Sequence, residues 1–272
     1  KMKMAVLSVF AVNSGGVALI TGDVTTLMIF LDGHVAMGQL ITLLLPASLS
    51  VLFLAAIFAT RVSGKITTVP ATRDYDGVDI VIAAIFFSTI IATMLMNVLF
   101  GVPPVLTFLT GLSFMFLVGR LYHSDKDERK MLEYVREIEF DTLLFFLGIL
   151  LLVGMLKEIG ILTMVTEIYA QFDPNLSNYV AGIGSALLDN VPLTAALLKA
   201  HPELTTPEWL GLTYAVGVGG SLLVIGSAAG IIAMSKMKEL TFISYMRYIP
   251  ALLLAYTLGY GLTVLLANYL YA

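Results

Sequence analysis

Cysteine is absent from these 272 residues, which excludes a disulfide framework and any thiolate metal centre. Charge is scarce: 12% of the chain is Asp, Glu, Lys or Arg, against about 25% in soluble globular domains. A formal net charge of −4 excludes a basic nucleic-acid-binding surface as the main business of the protein. The alternating ten-residue segments of a transmembrane β-barrel are missing. At the start of the sequence Lys1-Met2-Lys3-Met4 runs straight into an apolar stretch, without the short apolar core and small-residue cleavage site by which a signal peptide is read.

What is present is apolar length. The chain is 58% hydrophobic with a mean hydropathy of +0.94, so it reads as an all-α polytopic membrane protein in contact with a lipid bilayer. Runs near the roughly 20 residues that cross a bilayer fall at 39–60, 78–100, 102–121, 140–157 and 247–271. Two more, 4–31 and 209–235, share a glycine skeleton. Asn13-Ser14-Gly15-Gly16 leads to Gly22-Asp23, and Gly217-Val218-Gly219-Gly220 leads to Gly226-Ser227. Such steps are poor helix interior, so each run is expected to be a broken transmembrane helix with Gly15, Gly16, Gly22, Gly219, Gly220 and Gly226 at the breaks. Backbone groups freed in lipid must face a protein-lined cavity. Paired broken spans point to a transporter's binding site, not to an enzyme.

Lysine and arginine set orientation. Thirteen of the fifteen fall in four clusters: Lys1 and Lys3; Arg61, Lys65 and Arg73; Arg120, Lys126, Arg129, Lys130 and Arg136; Lys236, Lys238 and Arg247. Placing all four in the cytoplasm sends the two broken spans across the membrane in opposite directions. That is the sign of inverted-topology repeats with a site at the midplane. Residues 1–121 then form the C-terminal part of the first repeat, 122–139 a charged cytoplasmic linker, and 140–272 the second repeat. Between span 140–157 and the second broken run the chain must start and finish outside. A re-entrant hairpin over 178–200 achieves this, its half-helices meeting at Asp189-Asn190-Val191-Pro192 with Pro192 in a first helical turn. The matching hairpin of the first repeat would precede Lys1, so a truncated chain is expected.

Only Asp23 and Asp189 are carboxylates well inside apolar segments, and an intramembrane ionisable group is a functional candidate by default. Thr25 and Thr26 add neutral oxygens beside Asp23; Ser185, four residues before Asp189, shares its helical face, and Asn190 adjoins it. Hard cations prefer such oxygen ligands. Each aspartate also suits a helix N-cap, Asp23 ahead of Thr25 and Asp189 ahead of Pro192. Desolvation disfavours an ionised carboxyl and a nearby cation favours it, so one buried aspartate can release a proton as it takes up a metal ion. Asn13 and Ser227 flank the two skeletons. His34, His123 and His201 read as solvated loop residues, and the methionines and the Tyr-rich C-terminus as packing and interfacial anchoring.

Asn13 to Gly16 with Gly22-Asp23-Val24-Thr25-Thr26, Ser185 with Asp189-Asn190-Val191-Pro192, and Gly219-Gly220-Ser221 with Gly226-Ser227-Ala228-Ala229-Gly230 resemble the NhaD family of sodium/proton antiporters. That family belongs to the ion transporter superfamily, with arsenite and dicarboxylate carriers. The resemblance covers residues 1 to about 235. It implies exchange of Na⁺ or Li⁺ for H⁺ in a bacterial inner membrane or a plastid envelope, by a homodimer that needs no cofactor beyond the transported ions. It also implies ion or proton binding at Asn13, Asp23, Thr25, Thr26, Ser185, Asp189, Asn190 and Ser227, with Asp23 and Asp189 as the transient Na⁺ carboxylates. This chain departs from the family's pattern at Leu19 and Ile20, where relatives carry Ser-Pro, and at Val224, where they carry serine; the lost hydroxyl bears on cation selectivity or affinity.

Three other readings compete. An organic-anion or arsenite carrier of the same superfamily would need cationic groups or unpaired helix N-termini at its substrate. A transport-inactive membrane fragment would follow from truncation. An intramembrane aspartyl protease would need Gly-x-Gly-Asp, and Ile20-Thr21-Gly22-Asp23 lacks the first glycine.

Overall fold

The structure, a computed structural model, describes residues 1–60, 77–122, 140–160 and 163–271. Arg61, Lys65, Arg73, His123 and the 123–139 stretch of the linker lie outside the described residues. Among the described residues there is no strand; the elements are α1 (Met2–Gly16), α2 (Val24–Leu31), α3 (Met37–Leu40), α4 (Leu44–Ala59), α5 (Gly77–Phe100), α6 (Pro104–Tyr122), α7 (Phe140–Glu158), α8 (Thr163–Gln171), α9 (Pro174–Leu188), α10 (Asn190–Ala200), α11 (Thr206–Gly219), α12 (Ala228–Lys236), α13 (Phe242–Met246) and α14 (Ile249–Tyr271). A 3₁₀ turn over Ile41–Leu43 joins α3 to α4, and Gly220–Leu222 forms another after α11.

Length separates the helices into two kinds. At about 1.5 Å per residue, a hydrocarbon core of about 30 Å needs roughly twenty residues. Met37–Ala59, Ile80–Phe100 and Ile249–Tyr271 are long and apolar enough to cross a membrane. By contrast α1 has 15 residues and α2 has 8, while α9 has 15 and α10 has 11. None of these crosses alone, so the first forms a broken span and the second a helical hairpin.

The chain divides into two compact units, one of Lys1–Ser63 with Phe146–Ala272, the other of Gly64–Phe145. In the second, α5 and α6 pack together around Thr89 and Gly111, where a Cβ on Gly111 would enter the Thr89 side chain. The turn between them depends on Gly101, which adopts φ +65°. Its N–H reaches Asn97 O at 2.9 Å and that of Val102 reaches Met96 O at 3.2 Å, which satisfies carbonyls at the end of α5. Thr89 and Thr93, both buried, return their hydroxyls to Ile85 O and Thr89 O, so neither leaves an unsatisfied hydroxyl in the packed interior.

In the first unit α11 is the centre. Every residue from Trp209 to Gly219 is buried, the pattern of a helix apolar on all sides, and α9, α14, α1 and α2 pack against it. Its start is written locally: Thr205 and Glu208 form a capping box, with Pro207 in the first turn. Glycines bring α9 against α11 and its 3₁₀ extension with backbone touching backbone. A Cβ on Gly182 would stand 2.5 Å from Ala215 O, and one on Gly226 2.5 Å from Ala186 O and 2.6 Å from Gly220 O. Small residues allow such approach between membrane helices. Gly226→Ala is therefore expected to lower stability by about 3 kcal/mol, seen as a fall in the thermal midpoint of the detergent-solubilised protein. An unchanged midpoint would mean that α9 can retreat.

The hairpin start and His34 differ from the sequence reading, and two tyrosines sharpen it. The first arm of the hairpin begins at Pro174, because Asp173 caps it by accepting a hydrogen bond from Leu176 N at 3.0 Å. Tyr256 and Tyr260 take the packing role: their hydroxyls donate to Tyr179 O at 2.9 Å and to Asn175 O at 2.6 Å, tying α14 to α9. His34 is not free in a loop. Its ring stacks on Trp209 at 3.8 Å between centroids, and Nε2 lies 2.9 Å from Asp32 Oδ2.

Candidate functional site

The two glycine skeletons build the same break twice. In the first, Leu19 N–H donates to Gly16 O at 3.2 Å and Gly22 N–H to Leu19 O at 2.9 Å; in the second, Gly226 N–H donates to Leu223 O at 3.2 Å. The residue that follows is extended in both, Asp23 at φ −146°, ψ 134° and Ser227 at φ −154°, ψ 152°, and each caps the next helix. Glycine is required for closeness here. A Cβ on Gly16 would stand 2.8 Å from Gly22 O, and one on Gly220 2.5 Å from Gly226 O. Gly219 similarly packs on Gly182, whereas a Cβ on Gly15 would meet nothing within 4 Å.

Asp23 is the most heavily contacted acid of the site. Oδ1 accepts from Thr25 N at 3.2 Å and from Asn190 Nδ2 at 3.5 Å; Oδ2 accepts from the Thr25 hydroxyl at 2.7 Å. The hairpin thus delivers Asn190 to the first break across 167 positions of sequence. Asp189 adjoins Asn190 at the tip of the hairpin, one residue from that contact. The Thr26 hydroxyl donates instead to Val17 O at 3.1 Å, and that of Ser185 to Val216 O at 2.8 Å, both buried. Asn13 Nδ2 donates to Ser227 Oγ at 3.0 Å, and Ser227 Oγ accepts from Gly230 N at 3.4 Å.

The structure therefore sorts the sequence candidates into three sets. Asp23, Thr25, Asn190 and Asp189 converge; Asn13 and Ser227 pair on the other break; Thr26 and Ser185 hold backbone carbonyls of Val17 and Val216 in place. The two aspartates differ as caps. Asp23 caps α2 with its side chain, whereas Asp189 makes no side-chain cap hydrogen bond to α10. Asp189 instead joins α9 to α10 in an unusual backbone conformation, φ 62°, ψ 142°, costing on the order of 1–3 kcal/mol. Pro192 is the third residue of α10, where its missing N–H has no intrahelical role. His201 ends the same helix in the left-handed region, φ 49°.

Chemically, the groups on Asp23 are a hydroxyl, an amide side chain and a backbone N–H, with no positive charge among them, and the Asp189 carboxylate belongs to the residue before that amide. Oxygen-rich and net negative, such a cluster suits a hard cation or a proton. Helices interrupted beside paired glycines, with a capping carboxylate at the first break, are the arrangement found at the sites of broken-helix membrane carriers.

Known proteins place it more closely. The family model described as citrate transporter matches residues 1–217. The Na(+)/H(+) antiporter NhaD of Vibrio cholerae is 31% identical over 287 residues, covering 95% of this chain and 60% of its own. The Na(+)/H(+) antiporter NhaD of Vibrio parahaemolyticus is 32% identical over 279 residues (91% of this chain, 67% of its own), and the sodium/proton antiporter 2 of Arabidopsis thaliana 32% over 259 residues (88% and 61%). The chain belongs to the citrate transporter family and, within it, to the NhaD type that its motifs resemble. It spans about 60% of the length of the Vibrio cholerae relative. No solved structure matches it.

Proposed function

We propose that the protein exchanges Na⁺, or Li⁺, for H⁺ across a bacterial plasma membrane, with Asp23 and Asp189 alternating between proton and cation. One observation carries this reading: Asp23 sits at a helix break, facing a hydroxyl and a hairpin amide, with Asp189 next to that amide and, among the described residues, no cationic partner. A buried acid in that setting holds a proton when no cation is bound and yields it when one arrives. Thr25, Thr26, Asn13, Ser185, Asn190 and Ser227 supply or position neutral oxygens, and the glycines let the breaks close. The like construction of the two breaks supports the inverted-repeat reading, with α9 and α10 as the re-entrant hairpin. A homodimer in the bilayer, without a resident cofactor, completes it.

The family's description as citrate transporters makes an organic anion the rival substrate. The side chains argue otherwise: two carboxylates would repel it, and the N-termini of α2 and α12, which would attract it, are capped by Asp23 and Ser227. The test uses everted vesicles from cells expressing the protein. Addition of Na⁺ or Li⁺ is expected to collapse a preformed pH gradient, whereas citrate alone is not. A response to citrate without one to Na⁺ or Li⁺ would overturn the proposal.

A further inference from the structure

Among the described residues only two that are not glycine adopt positive φ, and they stand at the two ends of one helix. Asp189 precedes α10 with φ 62°, and His201 follows it with φ 49°. Such conformations are unfavourable for residues that carry a side chain, and where a fold holds them they concentrate at clamps and switches. Between them α10 is one unbroken piece of 11 residues, with the Thr194 hydroxyl returned to Asn190 O at 2.7 Å inside it. It is a short rod between two sharp joints.

The two arms of the hairpin are held unequally. Arm α9 is fixed along its length: Tyr260 OH donates to Asn175 O at 2.6 Å, Asn178 Nδ2 to Glu208 O at 2.8 Å, Tyr256 OH to Tyr179 O at 2.9 Å and Ser185 Oγ to Val216 O at 2.8 Å. Among the described residues α10 is hydrogen-bonded to other helices only at its ends, where Asn190 Nδ2 donates to Asp23 Oδ1 at 3.5 Å and Ala200 O accepts from the Thr166 hydroxyl at 3.1 Å. Its middle borders a cavity of about 250 Å³, lined by Met28 and Leu31 of α2, Val153 of α7 and Ala195 and Leu198 of α10, and reaching His201. Protein interiors are otherwise close-packed, so this is room into which α10 can tilt. At about 1.5 Å per residue the rod is about 16 Å long, and a tilt of about 10° at the His201 joint moves Asn190 by about 3 Å. The 3.5 Å contact, the longest of those on Asp23, is then lost.

We propose that α10 is a gate on the Asp23 site: it tilts as a rigid rod between joints at Asp189 and His201, into the cavity beside α2, and so makes and breaks the contact of Asn190 with Asp23 while α9 stays fixed. Residues at the ends of an element commonly serve as hinges for such closure. With Asn190 on Oδ1 the acid is covered from the hairpin side. With the rod tilted away, that oxygen is free to take a proton or a cation. The proposal rests on the cation-exchange reading of the same site and adds the moving part to it.

The experiment pins the rod. These 272 residues contain no cysteine, so Met28→Cys/Ala195→Cys places a single thiol pair beside the cavity, one on α2 and one on α10. As a control, Tyr179→Cys/Thr257→Cys places a pair between α9 and α14, where the two hydroxyls lie 2.7 Å apart. Each variant is treated with bis-methanethiosulfonates of graded length, bridging is read as loss of free thiols, and Na⁺/H⁺ exchange is measured in everted vesicles before treatment, after it and after reduction. The α2–α10 bridge is expected to cut exchange about tenfold or more, reversed by reduction, whereas the α9–α14 bridge should leave the rate within about twofold. Where the first pair does not fold, Leu31→Cys/Leu198→Cys, about one turn further along the same two helices, replaces it. Undiminished exchange with the α2–α10 bridge in place would overturn the proposal, because α2 and α10 would then move together. Failure of every linker to join them would also overturn it, since α10 would not close on α2. An equal loss with the α9–α14 bridge would do the same by showing that the whole hairpin moves. Absence of cation-dependent exchange in the wild type would defeat the exchange reading and the gate with it; exchange that survives the bridge defeats only the gate.

Discussion

Asp23→Asn is expected to reduce Na⁺-dependent proton movement in everted vesicles by about a hundredfold or more, with little change in the thermal midpoint of the purified protein. The two expectations come from different atoms. Asparagine is as good an N-cap as aspartate, so its side-chain oxygen can still accept from Thr25 N and the start of α2 is kept. The shape of the protonated acid is also kept. What disappears is the ability to lose a proton and carry a negative charge beside the Thr25 hydroxyl, which is the step that exchange requires. Thr25→Ala divides the site in the other direction: it removes the 2.7 Å hydroxyl contact to Oδ2 but leaves the charge, so it should weaken cation affinity and retain turnover at saturating Na⁺. Exchange by Asp23→Asn at the wild-type rate would remove Asp23 from the mechanism.

The positions of the breaks were legible in the sequence because their cause is local. Gly22-Asp23 and Gly226-Ser227 each combine a residue that permits close backbone approach with one that caps a helix, and both properties are read from residue type. The start of α9 was equally open to reading: Asp173-Pro174 is a cap followed by proline at the first helical position. Helix α8 is harder to see, since Thr163–Gln171 mixes apolar residues with Thr, Glu, Tyr and Gln. What no local pattern encodes is which break meets which side chain. Asn13 and Ser227 lie 214 positions apart, and the pairing follows from the packing of α1 against α12. For the same reason Thr26 and Ser185, read as oxygens for the ion, were found holding Val17 O and Val216 O.

Asp189 offers the second large effect and a way to separate charge from backbone. Its φ of 62° and ψ of 142° are unfavourable for most side chains, whereas asparagine tolerates positive φ better than alanine does. Asp189→Asn is therefore expected to preserve the hairpin and its stability while reducing exchange by about a hundredfold, because the second charge of the pair is lost. Asp189→Ala should lose exchange to the same extent and also destabilise the protein by about 1 kcal/mol more than Asp189→Asn does. Asp189→Gly relieves the strained backbone and removes the carboxylate, so it should raise the thermal midpoint above that of Asp189→Ala while remaining inactive. The three variants thus give one order for stability and a common result for transport. If exchange instead followed the stability order, with Asp189→Gly and Asp189→Asn active and Asp189→Ala not, the conformation at the hairpin tip would be the requirement. Asp23 would then be left as the sole exchanging acid. Its neighbour Asn190, presented to Oδ1 at 3.5 Å by the same turn, would account for the sensitivity of the tip, since any shift of α10 moves that amide out of reach of the first break.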